Sequence, residues 1–85
     1  MIVTEEYYTQ VYMGEAVDTA AFPRFEKRAE ELVNIITKGK LKDFDTFHES
    51  IKESVMNAIC AQIEYYSMNG IETSIIGADT SQGFT

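Results

Sequence analysis

The chain has 85 residues, a length that fits a single domain. Hydrophobic residues make up 45% of it and charged residues 25%, which is typical of a folded globular protein and excludes wholesale disorder. Fourteen acids against seven bases give a net charge of −7, which argues against a protein that grips the phosphates of duplex DNA.

The charges are segregated along the sequence. Residues 1–23 and residues 53–85 each carry four acids and no base, so all seven bases lie between Arg24 and Lys52. The amino terminus is acidic where a secretion leader would be basic, and no stretch approaches the ~20 apolar residues of a membrane span. A single cysteine, Cys60, excludes an intrachain disulfide, so we expect a reducing compartment such as the cytoplasm. From the lack of a long apolar stretch we expect no membrane partner.

The first predicted helix covers about residues 4–13. Thr4 supplies a capping hydroxyl, and two acids follow it in the first turn, where the helix dipole favours negative charge. Gly14 is the expected stop, because glycine tolerates the left-handed conformation that ends many helices. The tyrosines at positions 7, 8 and 12 cannot all share one face of an α-helix, so we expect some in the core and some outside.

The second predicted helix begins between residues 19 and 23, since Asp18 and Thr19 can cap it and Pro23 is tolerated only near a helix start. Gly39 is its expected stop. Its apolar residues recur at steps of three and four, which indicates one buried helical face. These residues are Phe22, Phe25, Ala29, Leu32, Val33 and Ile36.

The third predicted helix covers about residues 46–69, with Thr46 and Glu49 as a capping box and Gly70 as its stop. Its second half is apolar on nearly every face, and two short helices can cover only part of it. This surplus is the first indication of a subunit interface. The predicted buried stripe consists of Phe47, Ile51, Val55, Ile59, Ile63 and Tyr66.

Residues 41–45 form a link in which Leu41 and Phe44 are expected to enter the core. Residues 71–85 lose the helical period and mix small polar residues with isoleucines. They indicate an extended C-terminal arm, with a frayed terminus as the alternative. The predicted fold class is therefore all-α. It is a small bundle of three helices, with a fourth as an option, over residues 1–70, followed by the arm at 71–85.

A search for chemistry returns no catalytic, cofactor-binding or metal-binding set, so we expect a protein that is not an enzyme and needs no cofactor. His48 is the only histidine and is expected to be an exposed helix residue. Cys60 has small apolar neighbours and fits a buried hydrophobe better than a reactive thiol. The acid pair Glu30–Glu31 lacks calcium-loop spacing and is expected to be solvated. The tyrosines, with acidic neighbours, fit a core or protein interface better than nucleic-acid stacking.

Three segments resemble the head–tail connector (head-completion adaptor) proteins of long-tailed double-stranded DNA phages and prophages. Residues 22–39, FPRFEKRAEELVNIITKG, are similar to the second helix of that family. Residues 55–65, VMNAICAQIEY, resemble its following long helix, and residues 70–81, GIETSIIGADTS, resemble its C-terminal stretch. The three segments occur in the family's order and cover about half of the chain.

The resemblance implies a ring that stacks below the portal, in which the arm contacts a neighbouring subunit or an adjoining portal or tail component. The implied partners are other copies of the chain, the portal protein and tail or adaptor proteins. No sequence-specific nucleic-acid binding is implied. The implied location is the host cytoplasm during assembly and then the head–tail junction of the virion. The candidate interface residues are Tyr65, Tyr66, Ile71, Ile75, Ile76, Gly77 and Phe84.

Two other functions stay open at the level of sequence, besides a structural subunit that joins portal and tail and lets DNA pass. A small acidic regulatory module, similar to an antitoxin or an anti-sigma factor, would mask one basic partner. A helix-turn-helix DNA binder fits the charge less well. A ring-sized species or portal binding favours the connector, and a low-order complex with one basic protein favours the regulator.

Overall fold

The structure, a computed structural model, describes residues 1–69 and is all-α over that range. Four helical segments follow one another: a π-helical turn at Tyr7–Tyr12, helix α1 at Phe22–Ile36, a 3-10 helix at Lys40–Thr46, and helix α2 at Glu49–Asn69. The predicted arm at residues 71–85 lies outside the described residues.

The first helical segment is a π-helix and not the predicted α-helix. The carbonyl of Tyr8 accepts hydrogen bonds from the N–H groups of Met13 and Gly14, which widens the turn. In a π-helix residues i and i+5 share a face, so Tyr7 and Tyr12 both pack against the core beside the fully buried Tyr8. The wider turn thus brings together three tyrosines that an α-helix would separate. The left-handed residue that ends this helix is Met13, with φ of 61°, so the predicted left-handed stop at Gly14 is wrong.

Helix α1 begins and ends close to its predicted limits. It starts at Phe22 with Pro23 in its first turn, and the carbonyl of Asp18 accepts the N–H groups of Ala21 and Phe22. After its last residue, Ile36, both Lys38 and Gly39 adopt left-handed backbone angles, with φ of 59° and 81°. The predicted stop at Gly39 is therefore confirmed.

Helix α2 begins three residues later than predicted, because the capping box at Thr46 does not form. The Thr46 hydroxyl donates to the carbonyl of Asp43, and this bond completes the 3-10 helix. The ring nitrogen Nδ1 of His48 instead accepts the N–H of Ser50 at 3.1 Å, at the start of α2. At ~1.5 Å per residue, the 21 residues of α2 extend over ~32 Å.

The core forms where α1 and α2 pack against each other and the N-terminal residues close over them. Leu41 is buried and Phe44 is partly buried, as the sequence predicts for the link. Cys60 is fully buried, which confirms its interpretation as a small hydrophobe. The buried apolar residues are Val3, Tyr8, Phe22, Ala29, Val33, Leu41, Ile59, Cys60, Ile63 and Tyr66.

For two residues of the predicted stripes, the prediction of burial is wrong. Ile36 is 69% exposed and Ile51 is 50% exposed. Both lie in terminal turns, at the end of the helix pair where the 3-10 helix connects α1 to α2. There Leu41 and Phe44 cover the core, and the outer isoleucines are left in solvent.

Candidate interaction surface

The two tyrosines of the predicted interface have different environments. Tyr65 is 41% exposed, whereas Tyr66 is 1% exposed, with its ring centroid 6.1 Å from that of Phe25. Tyr66 is therefore a core residue in this fold and not a surface contact. The other predicted interface residues lie outside the described part of the chain: Ile71, Ile75, Ile76, Gly77 and Phe84.

Within residues 1–69, large apolar side chains remain exposed at both ends of the described unit, and Met1 and Val11 are exposed as well. Exposed apolar side chains indicate a contact site where they form a patch, whereas single ones are normal on a small protein. Ile35 and Ile36, which are 72% and 69% exposed, end α1. Met13 and Met68, which are 77% and 68% exposed, lie at the other end together with Tyr65.

Hydrogen bonds place Met13 beside the end of α2. The N–H of Glu15 donates to Oε2 of Glu64 at 3.0 Å, and the hydroxyl of Ser67 donates to the carbonyl of Ala16 at 3.3 Å. Burial and then the negative charge of Glu64 raise the pKa of Tyr12. Residues 13–18 and 64–68 therefore form one surface, the acidic end, which holds Glu15, Asp18 and Glu64 and no base.

The opposite end, residues 35–46, carries charges of both signs. It contains Lys38, Lys40 and Lys42, and the exposed acids Asp43 and Asp45 lie in the same 3-10 helix as the last two lysines. All three lysines are exposed, and none forms an ion pair within residues 1–69. The fold holds this segment in place through Asn34, whose Oδ1 accepts the N–H of Leu41 at 3.2 Å.

The antiparallel arrangement of α1 and α2 separates the two ends. The contact of Phe25 with Tyr66 shows that α1 begins where α2 finishes, and the 3-10 helix then returns the chain to the start of α2. Helix α1 has 15 residues, so at ~1.5 Å per residue it puts about 22 Å between the acidic end and the opposite end. The unit therefore presents two different contact surfaces.

A buried carboxyl group, that of Glu26, and the half-buried carboxyl group of Glu30 hold the amino-terminal residues onto α1. Oε2 of Glu26, a residue 2% exposed, accepts the N–H groups of Ile2 and Val3 at 3.1 and 3.0 Å. Oε2 of Glu30 accepts the same Ile2 N–H at 2.8 Å. The expectation that Glu30 is merely solvated is wrong, whereas Glu31 forms an exposed ion pair with Arg28.

The pKa values of these two carboxyl groups shift in opposite directions. Burial raises the pKa of Glu26 to about 7, and a hydrogen bond with Glu30 adds to the rise against the opposing N–H donors of Val3 and Ile2. Burial also tends to raise the pKa of Glu30. Three interactions outweigh burial and lower this pKa: the hydrogen bond from Glu26, the N–H of Ile2 and the positive amino terminus. The geometry thus supports a protonated Glu26 beside an ionised Glu30.

Residues 1–69 contain no reactive thiol and no group of metal ligands. Burial, and then the charge of Glu26, raises the pKa of Cys60 to about 12, so its thiol stays protonated. No three His, Cys, Asp or Glu side chains in that range gather as metal ligands. Neither α1 nor α2 has the length and apolar composition to cross a membrane.

The larger of two open grooves, of about 580 Å³, is lined by Tyr7, Val11, Phe44, His48, Lys52 and Met56, among others.

Comparisons with known proteins identify no relative. No protein-family model, curated protein or solved structure matches the chain.

Sequence reasoning missed Glu26 and Ile35, although a signal existed for the first. Glu26 lies between Phe22 and Ala29 on the apolar face, at the helical spacing of the buried residues. A carboxyl at such a position needs hydrogen-bond donors, and an acid four residues later indicates a shared site. Nothing in the sequence pattern identified Ile35 as an exposed residue, because its exposure depends on where the packing of α1 against the rest of the fold ends.

Proposed function

We propose that this chain is a structural subunit of a phage head–tail connector ring, which joins the portal vertex to the tail and lets DNA pass. The observation that carries the proposal is the presence of exposed apolar residues at two separate ends of a small helical unit. A subunit of a closed ring uses two different surfaces to contact its two neighbours. The resemblance of residues 22–39, 55–65 and 70–81 to the connector family supports the same assignment.

The proposal assigns no catalytic step and no cofactor to the chain. Its partners are other copies of itself, the portal protein and a tail or adaptor protein. It works in the host cytoplasm during assembly and then at the head–tail junction of the virion. The excess of acids fits a channel through which DNA slides, because few phosphates would be neutralised by such a surface.

Mass measurement in solution tests the proposal. The full chain is measured alone and after mixing with the portal protein encoded in the same genome, by sedimentation or native mass spectrometry. We expect either a ring-sized species or a complex with the portal. A chain that remains monomeric and does not bind the portal contradicts the connector function.

A second candidate is a small acidic regulatory module that masks a basic partner, similar to an antitoxin or an anti-sigma factor. The absence of bases from residues 1–23 and 53–85 favours it. Such a module would form a complex of one or two copies with a single basic protein. Affinity capture from the native host, followed by mass measurement of the captured complex, distinguishes this outcome from a ring.

A further inference from the structure

The fold places side by side two segments of the chain that lack a base. Residues 4–18 run along the second half of α2, residues 53–69. The hydroxyl of Tyr7 donates to Oδ1 of Asn57 at 3.1 Å, and the two hydrogen bonds of the acidic end follow further along both segments. Together the two segments form one surface, here named the base-free surface, which carries six acids and no Lys, Arg or His.

Exposed apolar side chains lie among these acids. Val11 and Met13 are 63% and 77% exposed. Val11 lines the larger groove together with Glu53, and the exposed Met68 lies one helical turn beyond Glu64 on α2. The base-free surface therefore offers carboxylates and apolar contacts next to each other. Its acids are Glu5, Glu6, Glu15, Asp18, Glu53 and Glu64.

The bases begin where the base-free surface ends. Lys52 also lines the larger groove, and its ammonium lies 5.8 Å from the centroid of the Phe44 ring. Residues 19–52 hold all seven bases of the chain together with six acids, so this part is close to neutral. The fold thus keeps the negative charge of the described chain on one side of the molecule.

The charges decide which class of partner fits the base-free surface. Nucleic acids and anionic lipid surfaces would be repelled by it. A second copy of the chain has no strongly basic surface to offer, and residues 70–85 carry two acids and no base. No three metal ligands gather within residues 1–69. The complementary partner is therefore a protein that brings positive charge.

We propose that the base-free surface binds a basic amphipathic segment of another protein. Lys or Arg side chains of that segment meet the carboxylates, and its apolar side chains cover Val11, Met13 and Met68. Methionine side chains are flexible and adapt to the shape of a partner. The inference goes beyond the proposed function, because it assigns a partner chemistry to one surface, requires no ring and holds for either candidate function.

Two charge-reversed variants of the full chain separate this surface from net charge. The surface variant carries Glu15→Lys and Glu53→Lys. The matched control carries Asp43→Lys and Asp45→Lys, which makes the same change in net charge on the 3-10 helix, away from the base-free surface. All four side chains are exposed, and circular dichroism with thermal melting verifies that both variants are folded.

Fluorescence anisotropy measures the binding of a labelled synthetic peptide of about 18 leucines and lysines, arranged as an amphipathic helix with one basic side. At about 0.15 M salt the Debye length is ~8 Å, which limits the effect of distant charges. We expect the wild type and the control to bind this peptide about equally. The surface variant should bind it about tenfold more weakly, because two attractions become repulsions. A peptide with glutamate in place of lysine should not bind.

Chemical-shift mapping by NMR locates the peptide on the wild type without any variant. We expect the perturbed amides to lie in residues 4–18 and 53–69. Perturbations centred on α1, equal weakening in the two variants, or binding of oligolysine as tight as that of the leucine–lysine peptide would overturn the inference. Binding only after removal of residues 70–85 would overturn it as well, because that segment would then occupy the surface. Portal binding is measured separately, so either result leaves the test of the connector function unchanged.

Discussion

Glu26 occupies a position that the helical pattern assigns to an apolar residue, and its environment explains why it is tolerated. A buried carboxylate without partners is costly, so such a group either finds donors or binds a proton. Glu26 does both, because the N–H groups of Ile2 and Val3 donate to it while its pKa rises to about 7. The amino-terminal residues are thereby bonded to α1 through a proton-sensitive site.

The raised pKa of Glu26 predicts a stability that depends on pH. The folded state retains a proton at Glu26 between pH 4.5, the ordinary pKa of the group, and about 7. Stability from this group is therefore complete below pH 4.5 and is lost as the pH rises through about 7. Glu26→Gln mimics the protonated acid, so we expect it to match the wild type below pH 4.5. At pH 8 it should be more stable by about 3 kcal/mol, since one pKa unit corresponds to about 1.4 kcal/mol.

Urea unfolding across this pH range measures the effect of Glu26→Gln. The matched control is Glu31→Gln, which removes one acid from the exposed side of the same helix. The control should run parallel to the wild type, apart from a small constant offset for its lost surface ion pair. Parallel profiles for Glu26→Gln and the wild type would show that Glu26 is ionised in the folded state at neutral pH.

Ile59 and Ile51 lie on the same predicted stripe of α2, but their exposures differ. Ile59 is fully buried and Ile51 is half exposed. Ile59→Ala should lower the free energy of unfolding by about 2–5 kcal/mol, because it removes packed atoms and leaves a cavity. Ile51→Ala should lower it by less than about 1 kcal/mol. Equal losses in urea unfolding would contradict the orientation of α2.

At the scale of elements, two glycines that follow helices are required for different physical reasons. Gly39 has φ of 81°, a left-handed conformation that costs a non-glycine residue strain energy, and a Cβ added there would have no heavy atom within 4 Å. Gly14 is needed for space, because a Cβ built there would lie 2.6 Å from Cε1 of Tyr8. Tyr8 has little freedom to move away, since its ring is buried and its hydroxyl donates to the carbonyl of Glu15 at 2.7 Å.

Substitution of the two glycines separates these causes. Gly14→Ala should destabilise the protein by about 1–3 kcal/mol through overpacking against Tyr8. Gly39→Ala should cost about 1–2 kcal/mol through backbone strain, and Gly39→Asn should cost less, because Asn tolerates the left-handed region. A double-mutant cycle of Gly14→Ala with Tyr8→Leu, followed by thermal unfolding, should show coupling that the Gly39 variants lack. Full additivity would contradict the steric cause.

At the scale of the whole molecule, a short chain can bury only part of its apolar surface in its own core. A domain of this size buries only about 60% of the surface that its unfolded chain exposes. Among residues 1–69, the buried core extends no further along the chain than Tyr66, while side chains such as Ile35, Ile36 and Met68 remain in solvent. The described helical unit therefore has a core of its own together with apolar surface available for a partner.

Removal of residues 70–85 tests whether the helical unit is self-sufficient. We expect a chain that ends at Asn69 to keep its helical circular dichroism and its melting temperature, because the core residues listed above all precede residue 67. We expect it to lose assembly on the portal, the role proposed for the arm. The matched control is the full chain with Ile75→Ser and Ile76→Ser. A chain that unfolds on truncation would show that the C-terminal segment belongs to the core.

The sequence by itself determined α1 and most of α2, because an apolar period of 3.6 residues and the positions of Pro23 and Gly39 are local properties of the chain. It also indicated that Ile59 and Ile63 are buried, since they lie on the apolar stripe of α2, and that Cys60 is buried, since its neighbours are apolar. Expectations for the arm and for the connector function stay predictions, because residues 70–85 lie outside the described structure.

Only the tertiary structure decided which parts of those stripes are covered. Periodicity identifies the apolar face of a helix. How far along that face the other helix covers it depends on how α1 and α2 pack against each other. This is why Ile36 and Ile51 are exposed. The burial of Glu26 depends on N–H donors 23 and 24 residues away in sequence. The π-helical turn depends on the packing of three tyrosines, and such long-range contacts leave no local pattern.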